Sequence, residues 1–327
     1  MDSGNKACEN KGMCFKMPRK KSHFPVLVSL VVALLLSVAS WKVLANQEQN
    51  TDRALFWSIH KSGQVAGYLL GTIHSEDPRV LDFSEDLLGR LRTNRVFAME
   101  LVPDLPTLAR LNEYMHYPPG QTLETVIGVE RFKALTAVLS AYSLPLEFIN
   151  QMKPWAAMMT LSTPPPETGF FMDLSLSLRA SGSGLAVVGL ETLEQQLSFL
   201  EEMPMSMQLT LLDQAVADYS RVSEVHDQMV NTYLQNNLVL LKSLTEEQLE
   251  LVGEQASDYF MESGINARNF RMVDSLLSQL ESNTVFAAVG ALHLPGEKGL
   301  INLLRRQGYE VHPMDIPFLQ ATSTPDE

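Results

Sequence analysis

Two four-residue stretches, Gly71-Thr72-Ile73-His74 and Gly290-Ala291-Leu292-His293, share a glycine-x-x-histidine pattern, and each directly follows a short β-rich run. Glycine lets the backbone turn sharply at a strand end, and an imidazole three residues later can point back over the sheet edge. Two other runs carry carboxylates at their ends: Arg95 to Leu101 contains Glu100, and Gly184 to Leu190 leads into Glu191. Imidazole nitrogen and carboxylate oxygen together suit zinc, manganese or cobalt, and an ion with an open coordination position activates water. His74, Glu100 and His293 are therefore a candidate metal set. A single histidine in such a turn is ordinarily structural, and spacing alone leaves ligation and packing both open for the set. Glu191 is a candidate catalytic carboxylate, although Glu191-Thr192-Leu193-Glu194 equally suits a helix start, where a carboxylate meets the positive end of the dipole. Arg268, in Asn266-Ala267-Arg268-Asn269-Phe270, reads from spacing as a solvated surface residue.

The elements that must position these groups alternate between short β-rich runs and longer helical patterns, which predicts an α/β fold. Candidate strands are Ala54 to Ser58, Ala66 to Gly71, Arg95 to Leu101, Gly184 to Leu190, Val285 to Gly290 and Tyr309 to Pro313. Continuous apolar runs such as Val285-Phe286-Ala287-Ala288-Val289 predict a central, partly parallel sheet flanked by helices on both faces. Ser84 to Arg92, Leu105 to Tyr114, Val129 to Ala141, Phe171 to Ala180, Thr192 to Glu201 and Glu297 to Gln307 have helical spacing. One loop and one helix separate His74 from Glu100, the length of a right-handed crossover that returns the second strand parallel to the first. In parallel sheets ligands bind outside the carboxyl ends of the strands, so the four endings are expected on one edge. From Pro204 to about Leu280 no strand pattern appears, which predicts a helical insertion that caps the site. Thr163-Pro164-Pro165-Pro166 reads as a rigid loop, and the tail after Phe318 as frayed.

Ahead of this body, Arg19, Lys20 and Lys21 precede an apolar run of 16 residues, Phe24 to Ala39, and then Val43-Leu44-Ala45. That order predicts residues 1–45 as a secretory signal cut after Ala45, with an inner-membrane tether through residues 24–44 as the alternative. In both cases residues 46–327 form one exported domain, expected in the periplasm of a Gram-negative bacterium. Met13 and Met17 are also possible starts. Both cysteines, Cys8 and Cys14, precede the apolar run, so the exported part has no disulfide and no thiol nucleophile. It carries 18 basic and 36 acidic residues, a net charge of −18, against −13 for the whole chain. Such an acidic surface argues against nucleic-acid or anionic-lipid partners.

Other features carry less. His60, His116, His226 and His312 have no partner pattern and read as surface or packing residues. Met203, Met205 and Met207 around Pro204 read as core filling. No glycine-rich phosphate loop and no Gly-x-Ser-x-Gly elbow is present.

The motifs together resemble the TraB/GumN family, of TraB/PrgY/Tiki type. The stretches that carry this resemblance are Leu69 to His74, Phe97-Ala98-Met99-Glu100, Val188 to Thr192 with Glu194-Gln195, Ala267-Arg268-Asn269, and Ala288 to Leu294 with Gly296. They follow the family's order from about Ala54 to Pro313, and Lys153-Pro154-Trp155 and Asp173 also fall where such proteins carry similar residues. The resemblance implies a divalent-metal site of His74, Glu100 and His293, with manganese or cobalt favoured. It also makes Glu191, Arg268 and Asn269 catalytic neighbours in that site, with Glu100 or Glu191 as the carboxylate that takes the proton from water and Arg268 as the group that stabilises the oxyanion. It implies a peptidase with a peptide or protein substrate, whose metal binding weakens below about pH 6 as histidine protonates. The alternatives are a periplasmic protein that binds a peptide or signal without cutting it, and a metallohydrolase of a non-peptide ester or glycan.

Overall fold

Residues 54–315 are described by a computed structural model. The export segment, both cysteines and the tail after Phe318 lie outside the described residues. Six strands form one sheet: β1 Phe56–Lys61, β2 Gln64–Thr72, β3 Val96–Met99, β4 Ala186–Gly189, β5 Val285–Gly290 and β6 Glu310–Met314. Their order is β4-β3-β5-β2-β1-β6. Neighbours from β4 to β2 are parallel, and β1 is antiparallel to both β2 and β6. The β1–β2 hairpin turns through Ser62 and Gly63, both at positive φ (53° and 74°), the backbone shape that matches the right-handed twist of a two-residue hairpin.

β2 and β3 run parallel, as their crossover length predicts, but β5 lies between them. The chain completes its helical excursion before filling that central slot. The approach of β5 to β2 is close enough that a Cβ on Gly67 would stand 2.0 Å from the Val285 carbonyl oxygen. Glycine at this point is a requirement of the sheet.

Two apolar cores flank this arrangement. The larger joins Phe56, Trp57, Leu70, Phe97 and Phe286 of the sheet to helices on its faces, among them Glu85–Arg92, Met172–Gly182 and Ala267–Leu280. The second is wholly helical and joins Leu123, Leu135, Trp155 and Leu161 to Leu197, Leu211 and Phe260. Residues 204–280 hold no strand, and their helices divide between the cores: Met205–Asp218 packs in the second, Val222–Leu234 mainly in the first. Met203 is buried, Met207 packs against the second core, and Met205 stays exposed. Helix Leu300–Arg306 starts three residues later than its sequence pattern suggests. Gly299, in extended backbone, lies where a Cβ would meet the Leu294 and Pro295 carbonyls at 2.3 Å. Among the described residues no helix is long and apolar enough to cross a membrane.

Candidate functional site

The sheet order puts the carboxyl ends of β2, β3, β4 and β5 on one edge, because Thr72 is registered with Gly290, and Met99 with both Ala288 and Gly189. His74, Glu100, Glu191 and His293 follow those ends within one to three residues. The two glycine-x-x-histidine turns pack on each other. A Cβ on Gly71 would lie 2.8 Å from Leu294 Cδ1 and 3.0 Å from Ala291 Cα, both in the second motif's turn. A Cβ on Gly290 would lie 3.1 Å from Glu100 Oε1. Neither glycine has a positive φ, so close approach, rather than a sharp left-handed turn, is why glycine stands there. Gly71→Ala is expected to lower stability by about 1–3 kcal/mol, as over-packing does in a filled core, read as a reduced urea midpoint.

Glu100 accepts three hydrogen bonds from the described residues. Its Oε1 accepts from the Gly290 N–H at 2.7 Å, and its Oε2 accepts from Arg268 Nη2 at 2.5 Å and Gln196 Nε2 at 3.2 Å. Burial alone would raise its pKa, but the Arg268 charge, helped by His293 and these hydrogen bonds, holds it down at about 2. Arg268 also bonds Glu191 Oε2 through Nε at 2.8 Å, so one buried guanidinium bridges two carboxylates. Glu191, with no side-chain exposure, takes a second cation from Arg271 Nη2 at 3.3 Å. Burial pushes its pKa up all the same, with Arg268 opposing the shift. The helix that begins beside it is capped by Thr192 in a capping box with Gln195. Glu191 is thereby released from a capping role and turns inward.

His293 is set in one tautomer by its neighbours. Asn269 Nδ2 donates to the Lys298 carbonyl at 2.9 Å, which orients the amide so that Oδ1 faces His293 Nδ1 at 2.6 Å. Nδ1 must then carry the proton, and the Nε2 lone pair faces Glu100 Oε1 at 3.7 Å and Arg268 Nη1 at 3.4 Å. Desolvation lowers the His293 pKa to about 4, Glu100 notwithstanding. A bare imidazole nitrogen beside an ionised carboxylate, with its other nitrogen bonded to a fixed carbonyl oxygen, has the donor chemistry of a divalent-metal site.

His74 stands on the other side of the turn pair. Its ring stacks on Phe171 at 3.9 Å and 16°, and its Nδ1 lies 4.0 Å from Asp173 Oδ2. The packed face lowers its pKa by desolvation, although 44% of the side chain remains open to solvent. Asp173 accepts from Thr72 Oγ1 at 2.6 Å. Burial, with the nearby Glu100 charge adding to it, pushes Asp173 up to about 6. Glu100 interacts electrostatically with His74 and Asp173, but among the described residues no three His, Cys, Asp or Glu side chains stand close enough together to hold an ion.

The raised Asp173 pKa has a stability consequence. A carboxyl that holds its proton more tightly folded than unfolded stabilises the fold below about pH 4, and that contribution is lost as pH rises through about 6. Asp173→Asn is therefore expected to be more stable than wild type at pH 7 by about 1–2 kcal/mol and equally stable at pH 4, in urea unfolding at both pH values.

Residues 55–313 match the TraB/PrgY/gumN family. The chain belongs to this family. A zebrafish (Danio rerio) protein named Metalloprotease TIKI1 is 25% identical over 318 residues, covering 81% of this chain and 64% of the relative. The Metalloprotease TIKI homolog of the sponge Amphimedon queenslandica is 24% identical over 355 residues, covering 90% and 68%. The uncharacterized protein YbaP of Escherichia coli (strain K12) is 25% identical over 247 residues, covering 73% and 87%. The chain thus spans less than two thirds of the fish relative's length. No solved structure matches it significantly.

In this TraB/PrgY/gumN member, Glu100, Glu191, Arg268, Asn269 and His293 come together, and His74 joins them through Asp173 and electrostatics. Arg268 is only 6% exposed, which corrects its surface reading: two distant strand-end carboxylates draw it inward. Arg271, one helical turn further along, and Gln196 were missed; the i, i+3 spacing of the two arginines is the signal that could have found the first. His226 lies near enough to His74 to interact with it electrostatically, and burial lowers its pKa. His60 and His312 meet each other on β1 and β6 at 5.2 Å, away from the site. Lys153 and Trp155 both bond Glu201, a clip within the helical layer.

Proposed function

We propose that this protein is an exported, divalent-metal-dependent hydrolase, most specifically a peptidase, in which Glu100 and His293 are the pair that would hold the ion and His74, which stands apart from them in this structure, is the third ligand that the family resemblance implies. The observation that carries this reading is the unprotonated Nε2 of His293, held 3.7 Å from Glu100 Oε1 by the Asn269–Lys298 relay and bonded, among the described residues, only by Arg268 Nη1 at 3.4 Å. A manganese, cobalt or zinc ion held there would supply Lewis acidity toward a scissile carbonyl and would lower the pKa of water. Asn269 fixes the imidazole tautomer, and Gly290 N–H orients Glu100. Glu100, ionised down to about pH 2, is a ligand rather than a base, and Glu191 is closed between two arginines. Asp173, 27% exposed with a pKa near 6, is the carboxylate suited to take the proton from attacking water at neutral pH. Arg268 directs its guanidinium toward the same centre and stabilises negative charge developing on the carbonyl oxygen.

The metalloprotease names of the animal relatives support the reaction class. The order of basic, apolar and small residues before Asn46 supports export to the periplasm, with mature protein starting near Asn46, which amino-terminal sequencing checks. The decisive experiment is metal analysis of purified protein, then digestion of a peptide library with manganese, cobalt or zinc added back after chelation. Metal-restored cleavage is expected. Stoichiometric peptide binding without product, indifferent to chelator, overturns the assignment. Arg268 balances Glu100 and Glu191 within the protein itself, and this favours the second reading, a periplasmic peptide- or signal-binding protein. Cleavage of an ester or glycan but no peptide would retain the site and change the substrate.

A further inference from the structure

Glu76 lies two residues beyond His74 and is only partly buried, a situation in which a carboxylate normally bonds water. Instead it gathers one short segment of chain. The backbone N–H groups of Glu167, Thr168 and Gly169 donate to it at 2.8, 2.7 and 2.9 Å, and the Thr168 hydroxyl adds a further bond. Successive N–H groups converge in this way only when the backbone curls around the anion, and Gly169, at φ 75°, provides the curl. The segment leads directly into the residues that touch His74. Met172 N–H donates to the Ser75 carbonyl at 3.1 Å, Phe171 lies face-on against the His74 ring, and Asp173 binds Thr72 while standing 4.0 Å from His74 Nδ1.

We propose that Glu76 is a positioning residue for His74: by docking the strap 167–173 onto the loop 72–76, it fixes the imidazole between Phe171 and Asp173. Hydrogen bonds join the two segments at Glu76, Ser75 and Thr72, and the imidazole of His74 lies between these points. Without Glu76 three N–H groups lose their acceptor and the strap is freed at the end nearest Phe171. The imidazole then regains rotamers that it lacks when stacked. For the metal site this inference rests on the proposed role of His74. Partners that orient a ligand typically account for about 10- to 100-fold in metal affinity, and Glu76, acting through a stack, belongs at the lower end.

The test uses the full chain with isotope-labelled histidine. Ring stacking at 3.9 Å shifts the His74 ring-proton resonances upfield, and Phe171→Leu identifies them by abolishing that shift. Glu76→Gln, which points an NH2 group at N–H donors, is expected to lose most of the same shift while the other histidine signals stay in place. Manganese affinity should fall about tenfold in parallel. Gly169→Ala strains the curl with Glu76 intact and is expected to give a partial loss, so it keeps the inference testable if Glu76→Gln fails to fold. A full His74 upfield shift in either folded variant overturns the proposal. Wild-type protein that binds no manganese, cobalt or zinc would defeat the metal reading, and the resonance comparison would still decide the positioning role.

Discussion

Replacing His293 with alanine is expected to abolish divalent-metal binding and turnover together, by more than 100-fold, while the protein stays folded. The relay behind a metal-bound histidine alone accounts for about 10- to 100-fold, so Asn269→Ala should fall in that range and loss of the ligand should exceed it. The side chain is 5% exposed, yet it sits at a strand end, outside the two apolar clusters. Its removal leaves Asn269 Oδ1 without its donor, a penalty of about 1–3 kcal/mol that a domain of this size can carry. His60→Ala and His312→Ala, which disturb only a contact on the far strands, should leave metal binding unchanged. The pH dependence separates ligation from a generic loss of order. A histidine with an ordinary pKa would surrender an ion below about pH 6, as expected from the sequence. Desolvation holds His293 neutral to about 4, so a manganese or cobalt titration should show affinity persisting well below pH 6. Metal occupancy and turnover surviving in a His74→Ala/His293→Ala protein would end the metal assignment.

The six strands were legible as short β-rich runs, several of them apolar throughout as Val285–Gly290 is, and the carboxyl-edge rule placed His74, Glu100, Glu191 and His293 at one end of them before any geometry was known. Sheet order was not legible. Whether β5 joins an edge or enters between β2 and β3 depends on complementarity that shows only when Gly67 and Val285 touch. The same limit explains the two motif glycines. Sequence suggests conformational freedom, whereas the structure uses the missing side chains to let one turn lie on the other and Glu100 approach Gly290. Arg268 shows the error most clearly, because a local window sees a charged residue on a helix and cannot see the two carboxylates that bury it. Glu76 had no signal at all: apart from the Thr168 hydroxyl its partners are backbone groups, which no residue pattern encodes.

That buried arginine makes Arg268→Met the substitution with the largest expected effect on stability. Arg268 holds Glu100 and Glu191 at 2.5 and 2.7 Å; the Glu191 side chain is closed to water and that of Glu100 mostly so. Truncating one member of a buried ionic cluster leaves uncompensated charge, which typically costs about 3–5 kcal/mol. Arg271 still reaches Glu191, from a side chain that is 34% exposed, so the stranded charge is mainly that of Glu100. The sign of the pH dependence follows. In wild type Glu100 has a depressed pKa, about 2, so its stabilising contribution is complete above the unfolded value near 4.5 and disappears as pH falls toward 2. Without Arg268 burial dominates and the pKa rises above the unfolded value, so the buried carboxylate destabilises the fold as pH rises through the new value. Wild type should therefore weaken on acidification below pH 4.5, while Arg268→Met recovers relative to it, and the gap in urea unfolding free energy at pH 7 should shrink by pH 4. Arg268→Met/Glu100→Gln should regain part of the loss at pH 7, because no charge is left stranded on Glu100. Equal destabilisation at both pH values would mean that Arg268 acts through packing of its stem, and the electrostatic account of the site would have to be abandoned.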